Sequence, residues 1–194
     1  MPSLAELIDT LQADLLHDPP RIAAYADLPF AVLCYPPNDE WDLRRRLWLL
    51  KGKLEHEGRR RVTFISLADL LWRAVDETEG VQAIVDEERA FGYPRAEATL
   101  NRVLTDPDFM PLPELLAQEL AGLDARTDVA FLVRAGALAP DVYHMSKLLD
   151  EMQGRTRVPT ILCYPGRLEG VTGLVFMDLR GREATGNYRV KVYG

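Results

Sequence analysis

The sequence predicts an α/β protein: a mainly parallel central sheet with helices on both faces, a Rossmann-like three-layer sandwich with an antiparallel C-terminal edge. Three observations predict it. Continuous apolar runs such as "FAVLCY", "DVAFLV" and "TILCY" read as strands buried on both faces, the mark of a parallel sheet. Segments of helical period lie between them, long enough for parallel crossovers. Two of the runs end in the same word, Leu33-Cys34-Tyr35-Pro36 and Leu162-Cys163-Tyr164-Pro165, as though one kind of strand exit had been written twice.

The elements follow in order. Ser3 and Glu6 have capping-box spacing, and Leu4, Leu7, Ile8, Leu11 and Leu15 recur at helical period, so a helix is expected over 3–17. "HDPPR" ends it. "FAVLCY" (30–35) is the first strand. A helix over 38–57 carries the stripe Leu43, Leu47, Leu50 and Leu54, and Gly58 stops it. "RVTFISL" (61–67) is the second strand, which makes a right-handed βαβ unit with the first.

Residues 67–125 read as a helical insertion: two helices with a break near Gly80, then shorter ones over 95–104 and 112–123. Phe109 and Met110 in "TDPDFMPLP" are read as core caps. "DVAFLV" (128–133), a helix over 140–153 and "VPTILCY" (158–164) return to the parallel pattern. Only about eight residues then separate this strand from "GLVFMDL" (173–179), too few for a parallel crossover of a dozen or more. The fifth strand and "NYRVKVY" (187–193) are therefore expected as antiparallel edge additions over 165–194. The whole chain, 1–194, reads as one domain, with an N-terminal helix over 1–20 and βα units over 28–164.

Parallel strands end on one rim, and open α/β sheets bind ligands there. If the two Leu-Cys-Tyr-Pro strands are neighbours, Tyr35 and Tyr164 share that rim, each followed by a proline that ends its strand. Arg134, after the third strand, and Arg167, in the loop with Gly166, Gly170 and Gly173, complete the candidate rim contacts. Turn geometry is the plainer reading of those glycines. Cys34 and Cys163 lie inside apolar runs and read as small hydrophobes.

Catalytic signatures are not found in the sequence. There is no GxxxxGK[ST], no GxGxxG and no GxSxG, and His17, His56 and His144 have no metal-ligand spacing. Asp39, Glu40 and Asp42 could hold Mg²⁺ in principle, but stabilising a helix N-terminus is the simpler role. No metal and no cofactor is expected. The two cysteines form no CxxC, no basic-then-apolar leader is present, and no apolar run nears the roughly 20 residues of a membrane span, so a soluble cytoplasmic protein is expected.

The net charge of −7 is unevenly placed: −4 over 1–37, +3 over 38–61, −10 over 62–153 and +4 over 154–194. An acidic middle does not suit a DNA-binding module. It suits complementary patches that steer a protein partner, or else a set of solvated helix faces. The basic C-terminal edge supplies the candidate partner contacts Arg180, Arg182, Tyr188, Arg189 and Lys191.

"LLDEMQGRTRVPTILCYPGRLEGVTGLVFMDL" and "GNYRVKVYG" resemble the BrxB family of BREX phage-defence systems, long catalogued as a domain of unknown function. The likeness extends to "FAVLCYPPNDEWDLRRRL", "ISLADLLWRAV", "LNRVLTDPDFMPLPELL" and "VRAGALAP", nearly the whole chain. Its most specific piece is YPG, a short loop, an apolar strand and a final NYR. The resemblance implies a small cytoplasmic component of an assembly that blocks phage replication and marks host DNA by methylation. It implies a non-catalytic adaptor that contacts a PglZ-like phosphatase-fold protein and a BrxC-like ATPase, with a PglX-like methyltransferase as a further contact. DNA would be met only through the complex, and self-association is left open. It brings no catalytic residues. The alternative is a nucleotide sensor or degenerate nucleotide-dependent enzyme that uses the rim.

Overall fold

The computed structural model of the chain describes residues 2–23, 27–170, 173–179 and 189–194. Among these the strands are β1 (Phe30–Tyr35), β2 (Arg61–Ser66), β3 (Asp128–Val133), β4 (Thr160–Glu169), β5 (Gly173–Phe176) and β6 (Lys191–Tyr193). The helices are α1 (Leu4–Leu16), α2 (Glu40–His56), α3 (Leu67–Asp76), α4 (Val81–Phe91), α5 (Tyr93–Thr105), α6 (Leu112–Ala121) and α7 (Met145–Glu151). The predicted capping box is formed: Ser3 Oγ accepts the Glu6 N–H at 3.4 Å, and the Glu6 carboxylate accepts the Ser3 N–H at 2.7 Å.

The main sheet has the order β2-β3-β4-β1-β6, and every pair along that path is parallel. From β1 the chain crosses by α2, past β4 and β3, to β2. It then returns stepwise, to β3 by way of α3–α6 and to β4 by way of α7. Direction and face change together, as one hand of crossover requires. The connections leaving β1 and β3 therefore part to opposite faces, and such a switch point opens a crevice at the carboxyl rim.

Each face buries its own core. On one, Leu7, Leu11 and Leu15 of α1 and Leu43, Leu47, Leu50 and Leu54 of α2 cover Ala31, Leu33, Tyr35, Phe131 and Cys163. On the other, α3, α5, α6 and α7 cover Val32, Cys34, Ala130, Leu132 and Tyr164. Burying one such leucine contributes about 1.5–3 kcal/mol. By contrast α4 has no buried residue and leans on the body through half-buried Ile84.

The structure corrects two expectations, the direction of β6 and the role of Pro165, and adds where β5 pairs and how the strands are ordered. β6 is parallel to β1; fourteen residues separate it from β5, enough to bring the chain round. β5 is antiparallel, as expected, but it pairs only with the outer part of β4 (Gly166↔Phe176 to Glu169↔Gly173). Pro165 does not end β4, since beyond it the strand leaves its parallel neighbours and zips to β5. Finally, β1 and β2 are not adjacent, because β3 and β4 lie between them.

The C-terminal strand is latched to α1. Lys191 Nζ donates to Asp14 and to the Arg21 carbonyl, and the Tyr193 hydroxyl donates to Asp14 at 2.7 Å. Burial works against the Asp14 carboxylate, yet the hydrogen bonds from Lys191 and Tyr193 outweigh it and hold its pKa below the usual range.

Candidate functional site

β1 and β4 are neighbours, so the two Leu-Cys-Tyr-Pro segments do end on one rim. They are offset by one residue, with Leu33 beside Cys163, Cys34 beside Tyr164 and Tyr35 beside Pro165. Because side chains alternate, that offset sends Tyr35 to the α1/α2 face and Tyr164 to the opposite face. Both tyrosines are about 1% exposed. The Tyr35 hydroxyl donates to the Glu40 carboxylate, whose other oxygen accepts Arg44 Nε at 2.7 Å. Burial first, and the Glu40 carboxylate next, push the Tyr35 pKa up. The Tyr164 ring tilts against Phe176 at 5.2 Å, and its hydroxyl points to the Leu174 carbonyl at 3.5 Å.

Neither thiol is set up as a nucleophile. Both cysteines are free and buried; burial pushes Cys34 up to about 12 and drives Cys163 upward as well.

The outer part of β4 stands between two clefts. The first, about 290 Å³, is bounded by Pro37, Glu40, Arg44, Arg134, Pro165 and Met177. Arg134 has the left-handed backbone conformation (φ 61°), is half exposed and donates to Asp69 at 3.2 Å. The second, about 440 Å³ and mostly apolar, is walled by Leu4, Leu7, Cys34, Pro36, Arg167 and Leu168. Arg167 is held there by Asp178 at 2.8 Å and Glu169 at 3.2 Å. Of the four predicted rim residues, Tyr35 and Arg167 both border the second cleft and Arg134 the first, while Tyr164 turns to the opposite face from Tyr35.

The loop glycines divide as well. Gly170 has φ +67° and answers to turn geometry. Gly166 is required by contact: a Cβ there would lie 2.2 Å from the Val175 carbonyl oxygen. Ser66 caps α3, accepting the Asp69 N–H at 3.2 Å. Asp42 pairs with Arg45 and Arg46, and Glu40 with Arg44, along the first turns of α2. Among the described residues no group of three or more His, Cys, Asp or Glu could hold a metal ion.

Of the predicted edge contacts, Arg180, Arg182 and Tyr188 lie outside the described residues. Arg189 is exposed beside Asp27, Asp150 and Gln153. Lys191 is engaged with Asp14.

One feature was missed at the level of sequence. Trp41, Trp48 and Leu49 on α2 are 77%, 64% and 62% exposed, and Phe91 and Tyr93 stand out at the α4–α5 junction. The signal was available: Trp41, Trp48 and Leu49 are spaced i, i+7, i+8, a second helical stripe beside the leucine stripe.

The family profile described as BREX protein BrxB matches residues 63–191. No curated protein and no solved structure matches the chain. Among the described residues no helix is long and apolar enough to cross a membrane.

Proposed function

The chain belongs to the BrxB family and is a component of a BREX phage-defence system, and on that premise we propose that it is a cytoplasmic, non-catalytic adaptor. It bridges a PglZ-like phosphatase-fold protein and the BrxC-like ATPase, and through them the PglX-like methyltransferase, with no direct hold on DNA. The observation that carries this reading is a pair of separate surface regions with large apolar side chains in solvent. One is α2, where five basic residues face three acidic ones; the other is α4 and its junction with α5, where three acids meet one base within α4. Exposed apolar groups rimmed by charge suit protein contacts, and a bridging protein needs two such regions. The basic C-terminal edge adds Arg180, Arg182, Tyr188 and Arg189, with Lys191 serving that edge through its hold on α1.

The test mixes the purified chain with the co-encoded PglZ-like protein and with the ATPase, followed by size-exclusion chromatography at micromolar concentration. Co-migration with at least one is expected. Independent migration of all three would sink the reading.

A second reading is favoured by the first cleft, where Arg44 and Arg134 line a crevice at the switch point of a parallel sheet. It is a nucleotide-sensing site, with any enzymatic activity degenerate. Thermal-shift screening of ATP, GTP, cyclic nucleotides and S-adenosylmethionine decides it, because a ligand bound only by the folded chain raises Tm. No shift at millimolar ligand, with and without Mg²⁺, removes it.

A further inference from the structure

We propose that the outward face of α2 is the docking site for an acidic segment of another protein of the defence assembly, one that presents Asp or Glu beside an apolar anchor; this rests on the adaptor reading. The helix is apolar on two sides. Leu43, Leu47, Leu50 and Leu54 are buried against the sheet, whereas Trp41, Arg45, Trp48, Leu49 and Gly52 form an exposed stripe at helical spacing. Both tryptophans keep more than half of their surface in solvent. Tryptophan and arginine are the side chains that most often dominate protein interfaces.

Three details fit a docked partner. Trp48 is held in place before binding: its ring lies 5.5 Å from Phe64, which in turn lies 5.9 Å from Phe131 of the core. An anchor already fixed loses little freedom on association. Gly52 sits one turn beyond Trp48 in the interior of the helix, where a Cβ would meet nothing within 4 Å. Among the described residues packing gives no reason for glycine there, and glycine disfavours the helix. A bare backbone does let another chain approach closely. The cations, finally, lie over the rings: Arg44 is 4.8 Å from the Trp41 ring and Lys51 is 5.6 Å from the Trp48 ring. Glu40, Asp42 and Glu55 already pair with Arg44, with Arg45 and Arg46, and with Lys51. Five bases against three acids still leave a surplus of two positive charges on α2, which carboxylates on the partner offset.

Other occupants fit less well. Strand addition at the β2 edge is obstructed, because Glu55 accepts the Val62 N–H and Lys51 donates to the Val62 carbonyl. A second copy packed antiparallel on α2 about Trp48 would set Arg44, Arg45 and Arg46 of each copy near Lys51 and Lys53 of the other, like charge against like. Single-stranded nucleic acid would meet a chain of net charge −7, with only +2 on α2 itself.

The experiment uses the full chain with the co-encoded PglZ-like protein and ATPase, measuring affinity by titration calorimetry at low and high salt. The double variant Trp41→Ser/Trp48→Ser is expected to weaken one of the two complexes at least ~30-fold. Arg45→Glu should weaken it most at low salt. Gly52→Ala is the cleaner arm: it should raise Tm by about 2 °C, since alanine favours the exposed helix, while weakening binding about tenfold. Trp72→Ser, on α3, should change nothing. A complex indifferent to all the α2 variants overturns this inference and leaves the adaptor reading intact. No complex with either protein overturns both. Self-association of the chain alone, or binding of a fluorescent oligo-dT strand, that disappears in the tryptophan double variant would show a different occupant and overturn the acidic partner.

Discussion

In β1 the residues Leu33–Pro36 end a strand; in its neighbour β4 the same four residues, Leu162–Pro165, stand in the middle of one. The two copies touch along their length but are offset by one position, so each residue type faces opposite helical layers in the two strands. Tyr35 works through its hydroxyl, which fixes Glu40 at the start of α2. Tyr164 works through its ring, which supports the β4–β5 hairpin at Phe176. Pro36 leads out of the sheet, whereas Pro165 marks where β4 changes partners, its carbonyl accepting the Met177 N–H at 2.8 Å. Identical words take their roles from register and from what each strand meets next.

The largest expected effect lies on the β4 side. Gly166→Ala places a Cβ against the Val175 carbonyl oxygen and the Tyr164 ring, at 2.2 Å and 2.9 Å. The contact with backbone cannot be relieved by a rotamer change, so the cost is about 3 kcal/mol or more, roughly a 10 °C fall in Tm. The corresponding position after the first copy, Pro37, carries a side chain in an ordinary short helical turn, and Pro37→Ala should shift Tm by no more than about 2 °C. Equal losses at the two positions, read by thermal denaturation, would break the comparison.

Next comes the hydroxyl of the first copy. Tyr35→Phe keeps the ring in its core and removes one donor from Glu40, which retains Arg44. The expected loss is about 1–2 kcal/mol, because a hydrogen bond to a charged acceptor is worth more than a neutral one but Glu40 is partly solvated. Glu40→Gln in the Tyr35→Phe background should then cost little more, since the two side chains form one unit. Full additivity in that double-mutant cycle would show that Tyr35 acts through packing alone.

What could be read from the sequence follows the same division. The strands stood out because parallel strands buried on both faces leave unbroken apolar runs, and the Ser3–Glu6 box stood out because capping is local. The one-residue offset did not, since it depends on how β4 lies against β1, and no local pattern records that. The passage of β4 through Pro165 was hidden for a related reason: proline predicts an end only if the strand has no other partner to take up. The rim site suffered most. Tyr35, Tyr164, Arg134 and Arg167 lie at strand exits, but register sends the two tyrosines to opposite faces, and Arg134 lines a different cleft from Tyr35 and Arg167. The α2 surface was legible in spacing, yet a second apolar stripe looks like core until the first stripe is seen to fill the space.

The smallest expected effect concerns the two cysteines, which differ in position but should agree in behaviour. Cys34 lines the larger rim cleft, whereas Cys163 is sealed between the sheet and the α1/α2 layer. At pH 8 a thiol with a pKa of about 12 is ionised to roughly one part in ten thousand, against about a tenth or more for an unperturbed cysteine, and the thiolate is the reacting form. Iodoacetamide should therefore label Cys34 on the order of a thousandfold more slowly than free cysteine, and Cys163 only when the chain unfolds. Labelling followed by mass spectrometry, with and without denaturant, measures both rates. Fast modification of native Cys34 would show that the cleft supports a thiolate, and the two copies would then differ in chemistry as well as in packing.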